Sequence, residues 1–128
     1  MAKKFAVVLG VIFVLMGILG FISNPLIGAM GLFMTNSLLN VVYLVIGVVL
    51  LIVAFSAPAA SALWLKIFGV IVLILTVLGF LMIAGGGSLF GLLTMNSADH
   101  WLHLVLGIIL LIGGMRKDAA APVPMPTV

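Results

Sequence analysis

Apolar residues run almost unbroken through four stretches of the chain, residues 5–22, 38–55, 62–84 and 101–115, and polar residues gather between them. Each stretch is near the roughly 17 to 25 residues that a helix needs to cross a bilayer core, the last once its polar N-terminal turn is included. The pattern then repeats: Gly31-Leu-Phe-Met-Thr-Asn-Ser-Leu-Leu-Asn-Val-Val-Tyr-Leu-Val-Ile-Gly47 returns sixty positions later as Gly91-Leu-Leu-Thr-Met-Asn-Ser-Ala-Asp-His-Trp-Leu-His-Leu-Val-Leu-Gly107. Likewise Gly10-Val-Ile and Leu19-Gly-Phe21 recur as Gly69-Val-Ile and Leu78-Gly-Phe80, a shift of fifty-nine. These features predict an all-α integral membrane fold. Its four transmembrane helices form two parallel helical-hairpin repeats, residues 5–55 and 62–115, joined at Ser56-Ala-Pro-Ala-Ala-Ser61. Repeats of one orientation are related by an axis along the membrane normal, unlike the inverted repeats of many transporters. The connections 23–36 and 85–96 are glycine-rich yet apolar. They are expected at the interface or dipping slightly inward, because exposed backbone within hydrocarbon would go unpaired.

Small residues recur seven apart in every stretch: Gly10 and Gly17, Gly47 and Ala54, Gly69 and Thr76, Gly107 and Gly114. Seven residues make two helical turns, so each pair shares a face. In lipid the hydrophobic effect does not press helix on helix, and close backbone approach at small residues takes its place. These stripes are therefore expected to face inward.

Composition agrees with the pattern. Hydrophobic residues make up 66% of the 128 and charged residues 5%, against roughly a quarter charged in soluble domains. The mean hydropathy is +1.61. Lys3 and Lys4 precede the first stretch, Lys66 opens the third, and Arg116 and Lys117 follow the fourth, whereas both long connections lack Lys and Arg. Short loops rich in Lys and Arg stay cytoplasmic, which predicts a multi-pass protein of a prokaryotic cell membrane with N- and C-termini cytoplasmic. The net charge of +3 then reads as an orientation signal, and no basic patch suggests nucleic acid. The first stretch is too long for a secretory signal, lacks a small-x-small site after it, and matches an internal helix, so it is expected to be retained. With no cysteine, disulfides, iron–sulfur clusters, thiol catalysis and palmitoylation are excluded. One domain is expected over residues 1–118, with 119–128, rich in alternating proline, as a short disordered cytoplasmic tail.

Counting back from Gly47 along its stripe gives Tyr43, Asn40 and Asn36, and from Gly107 gives His103, His100 and Asn96. Spacings of three and four keep these side chains on one helical face, so all six are expected to converge between the second and fourth helices at the outer end. Asp99, four before His103, is placed to accept an imidazole hydrogen bond and to meet the helix N-terminal dipole. Ser37 and Ser97, or the asparagines before them, suit N-caps.

The plain reading of this cluster is interhelical hydrogen bonding, worth on the order of 0.6 to 2 kcal/mol per bond in membranes. Polar groups in membrane segments are also functional candidates. A quinone, pigment or other amphipathic molecule could take His103 and Tyr43 as hydrogen-bond partners. A metal site on Asp99, His100 and His103 falls short of four converging ligands, with both histidines on one helix. A haem would find Tyr43 where its second axial histidine should stand. Neither metal nor cofactor is therefore expected. A pore or proton path would meet an apolar inner half. The only acids, Asp99 and Asp118, are expected on opposite sides of the membrane, and no serine or threonine has a nearby base, so no enzyme is expected. Met16, Met30, Met34, Met82 and Met95 read as packing or lipid-facing residues.

The segment Asn96-Ser-Ala-Asp-His-Trp-Leu-His-Leu-Val-Leu-Gly107 closely resembles the second-half signature of a bacterial membrane family, domain of unknown function 4383, and Asn36 to Gly47 looks like its first-half partner. The resemblance spans residues 5–115 and implies four membrane helices in a duplicated arrangement. The family pattern carries histidines where this chain has Leu39 and Tyr43, and often asparagine at His100, which argues against a bis-histidine cofactor. The resemblance implies a fold and lends no function. The expected role is thus non-catalytic: a structural or accessory subunit of a larger membrane complex, or a homo-oligomer, in contact with the lipid bilayer. The alternative is a binding protein for an amphipathic small molecule at the polar cluster.

Overall fold

The computed structural model describes residues 1–116, so the predicted tail 119–128 lies outside the described residues. Four helices dominate: α1 (Ala2–Gly20), α2 (Ser37–Ser56), α3 (Ser61–Met82) and α4 (Ser97–Met115). Each is long and apolar enough to cross a membrane, with mean hydropathy from 1.6 for α4 to 2.9 for α2. Their bounds differ from the apolar runs by up to four residues, because capping rather than hydropathy ends a helix. With Asn96 as its N-cap, α4 starts at Ser97, four residues before Trp101, the first residue of the apolar run. Between α2 and α3, Pro58 opens a single turn of 3₁₀ helix over Pro58–Ala60. Its ring lacks an N–H and cannot continue the preceding helix, so the chain reverses there.

The connections contain short strands that hydropathy did not foretell. In the first, β1 (Ile27–Gly28) pairs parallel with β2 (Phe33–Met34). In the second, β3 (Gly87–Leu89) and β4 (Leu93–Met95) form an antiparallel hairpin with Ser88 opposite Thr94. Phe90 at φ 53° and Gly91 at φ 70° turn that hairpin, and the Leu92 N–H donates to the Leu89 carbonyl at 2.9 Å. Local strand pairing settles backbone polar groups that apolar side chains cannot.

The helices pack most extensively within two antiparallel hairpins, α1 with α2 and α3 with α4. The small-residue stripes lie at those contacts, and all eight residues are buried. A side chain at Gly47 would stand 2.7 Å from the Gly10 carbonyl, one at Gly107 would meet Leu73, and one at Gly114 would stand 2.9 Å from the Ala62 carbonyl. Thr76 fits the stripe because its hydroxyl donates to the Val72 carbonyl at 2.9 Å, one turn back along its own helix. Phe13, Leu50, Leu65 and Leu110 belong to one continuous core. Outward-facing apolar residues, among them Val11, Leu15, Val45, Ile52, Ile74 and Ile108, occur on all four helices. Lys3, its ammonium 5.5 Å from the Phe55 ring, and Lys66, beside Gly114, lie at the end of the bundle opposite the strands.

Candidate functional site

The predicted polar residues occupy the strand-bearing end of the bundle as pairs sixty positions apart, and each pair does something different. Asn36 and Asn96 cap α2 and α4: their backbones are extended and their Oδ1 atoms accept from the Leu39 and Asp99 N–H groups, each at 3.0 Å. A side-chain oxygen at this position satisfies a donor that the first helical turn cannot. The amide nitrogens then reach across the bundle. Asn36 donates to the Leu92 carbonyl at 2.7 Å and Asn96 to the Leu32 carbonyl at 2.8 Å. Two caps thereby latch each hairpin to the connection of the other.

Tyr43 and His103 meet between α2 and α4, as the spacing predicted. Tyr43 Oη and His103 Nε2 are 2.6 Å apart, and the residues are 2% and 1% exposed. Their rings are edge to face with centroids 5.9 Å apart, and the Phe13 ring centroid lies 6.0 Å from that of Tyr43. Edge-to-face packing adds to the hydrogen bond, since the ring quadrupoles favour it. His103 Nδ1, the other ring nitrogen, has no hydrogen-bond partner.

Asn40 and His100 do not join that convergence, which corrects the expectation that all six residues share one space. Both turn toward the neighbouring helix of their own hairpin. The Asn40 amide lies on Gly20 of α1, so closely that a side chain at Gly20 would overlap its oxygen. His100 lies on Gly79 of α3, where a Cβ would stand 2.6 Å from Nδ1, and its Nε2–H donates to the Ile83 carbonyl at 2.7 Å. Phe80 packs beside that ring at 5.2 Å. Asp99 is also corrected. Its Oδ2 accepts from the Asn96 N–H at 2.8 Å, completing a capping box, and no imidazole donates to it. The Met34 N–H lies near the carboxylate, although Oδ1 meets no donor in hydrogen-bonding geometry. The cause is local: a carboxylate three residues after an N-cap finds that backbone donor within reach before any ring.

Sequence reasoning passed over Gly20 and Gly79 as seats for these side chains, although the recurring Leu19-Gly-Phe21 and Leu78-Gly-Phe80 marked them. It also passed over Thr35, buried with its hydroxyl unpartnered. The two histidines, both on α4, engage different partners, Tyr43 of α2 and the Ile83 carbonyl just past α3, and no three His, Cys, Asp or Glu side chains gather around one point among the described residues. Chemically the site ties helices and connections together through short directional bonds, of which the Tyr43–His103 contact is buried between helices.

A family model described as domain of unknown function 4383 matches residues 3–116. No curated protein and no solved structure matches the chain.

Proposed function

The chain belongs to the domain of unknown function 4383 family, and we propose that it is a non-catalytic membrane protein of a prokaryotic cell, a duplicated pair of hairpins serving as a structural or accessory subunit or as a homo-oligomer. The observation that carries this reading is the Tyr43–His103 pair, whose Oη and Nε2 engage each other inside the bundle instead of facing a cavity. A pocket of about 500 Å³ at the same end is lined by Asn36 and Asn40 but by none of Tyr43, Asp99, His100 and His103. Buried polar groups that pair with each other across helices specify one packing arrangement in an apolar core. The sixty-residue recurrence of caps, glycines and cross-bundle partners supports the duplication.

Two measurements test the proposal. Since the chain has no cysteine, Ser88→Cys and Ala59→Cys provide single labels at opposite ends of the bundle. A membrane-impermeant maleimide added to intact cells should modify the first, and modify the second only after lysis; equal labelling of both would overturn the N-in, C-in arrangement. Gentle extraction followed by native mass spectrometry should yield the protein with itself or with another membrane protein in fixed ratio. A stoichiometric quinone or pigment that disappears in His103→Ala would instead establish the binding alternative.

A further inference from the structure

Lys66 lies inside α3, five residues after Ser61, with its side chain exposed. Hairpin packing does not require a charge there, because the corresponding position of the first copy, fifty-nine residues earlier, holds Val7. Lys66 rests against the end of α4, where a Cβ on Gly114 would stand 2.6 Å from its Cγ, and Arg116, also exposed, follows Gly114 by two residues. Sixty positions before that arginine stands Ser56. Among the described residues the one carboxylate, Asp99, belongs to the strand-bearing end, so neither cation meets an acid there. Two long basic side chains on adjacent helix ends can close on one phosphate, the guanidinium as a fork of donors and the ammonium as a point charge.

Beyond Lys66 the same face of α3 is apolar. Val70, Leu73 and Val77 follow it at steps of four, three and four, which keeps them in line with it. With Ile74 and Leu78 they line a groove of about 320 Å³ that contains no polar side chain. Val70 and Val77 are 49% and 55% exposed, and Leu73 lies on Gly107 of α4. The eleven residues of helix from Lys66 to Val77 rise about 16 Å, close to half of a bilayer core of roughly 30 Å. An acyl chain of one leaflet covers the same depth.

Charge and groove together select the occupant. A free anion would meet the cations and make no use of the groove, and a lipid without net charge would fill the groove and leave the cations to water. Lysine can lay its stem on an apolar face while its ammonium reaches the headgroup level, and each basic side chain there attracts acidic lipid. We propose that this face of α3 binds one anionic phospholipid, with its phosphate between Lys66 and Arg116 and an acyl chain along Val70, Leu73 and Val77. The site rests on the membrane reading above and needs neither its orientation nor its subunit role.

The test places wild type and variants in phosphatidylcholine nanodiscs containing a minor share of phosphatidylglycerol, and native mass spectrometry counts the lipids that stay on the protein. Wild type should hold one phosphatidylglycerol about tenfold over phosphatidylcholine, whose phosphate is already paired with its own cation. Lys66→Gln and Arg116→Gln should each lower that preference about fivefold, and Lys66→Arg should keep it. Val77→Phe, which adds bulk to the groove and alters no charge, should lower it too. Lys3→Gln removes an equal charge from the first hairpin and should change nothing. An equal fall in Lys3→Gln would mean diffuse attraction and overturn the site, as would an unchanged preference in both Lys66→Gln and Arg116→Gln. In native membranes, Val77→Cys protomers that cross-link to one another would put a second copy of the chain in the groove and overturn it likewise. Protein that stays out of the nanodiscs would overturn the membrane reading and this site together. Protein that enters them and holds both lipids equally overturns the site alone.

Discussion

Gly47→Ala is expected to cost about 3 kcal/mol or more, at the upper end for overpacking a close contact. The added Cβ would stand 2.6 Å from the Val14 nitrogen and 2.7 Å from the Gly10 carbonyl oxygen. Both atoms are backbone, so no side chain can rotate aside and α1 must separate from α2. Gly107, sixty positions on, provides the contrast: its added Cβ would meet Leu73 Cγ and Cδ2 at 2.7 Å, while the nearest backbone atom is 3.4 Å away. A leucine can change rotamer, so Gly107→Ala should cost only about 1 to 2 kcal/mol. Gly85, with nothing within 4 Å of its added Cβ, serves as a control expected to stay within about 0.5 kcal/mol. Reversible unfolding in mixed detergent micelles measures all three. If Gly107→Ala proved as damaging as Gly47→Ala, backbone approach would not be what joins the first hairpin.

Losses from breaking the Tyr43–His103 pair at its two ends should not add. Tyr43→Phe leaves His103 Nε2 buried without a partner, and Nδ1 on the same ring already lacks one. His103→Leu strands the tyrosine hydroxyl in the same way. Each single change should destabilise by about 1 to 3 kcal/mol, the cost of an orphaned buried polar group. Tyr43→Phe with His103→Leu replaces both ends by apolar groups and should fall well short of the sum, with a coupling of about 1 kcal/mol across the cycle. Additive losses, measured by the same unfolding assay, would mean that the 2.6 Å contact contributes nothing beyond packing.

Both expectations turn on how much of a helical face can be read from spacing. Asn40, Gly47 and their counterparts His100 and Gly107 are seven apart, which returns within about 20° of the same direction. Those residues do face one way, onto the partner helix of their own hairpin. Tyr43 is three residues from Asn40, a step that leaves the two side chains about 60° apart. Within a four-helix bundle that rotation separates the hairpin partner from the opposite hairpin, so Tyr43 and His103 find each other while Asn40 and His100 sit on glycines of α1 and α3. Asp99 departs from its spacing to His103 for a related reason: the Asn96 N–H at the start of its own helix is the donor within reach.

By itself the sequence determined four long apolar helices, the Asn-Ser pairs at which α2 and α4 start, the small-residue contacts inside each hairpin, and the one tyrosine–histidine meeting between them. These follow from local periodicity and from the sixty-residue recurrence, which act along the chain and need no knowledge of distant neighbours. Only the tertiary structure decided that Asn36 and Asn96 cross-link to the opposite connections, that short strands organise those connections, and that Thr35 and Asn40 each bury an unpaired polar atom. Each of those outcomes depends on which carbonyl, glycine or empty volume lies opposite a side chain, and that is set by how the two hairpins dock, a relation that no pattern within one helix encodes.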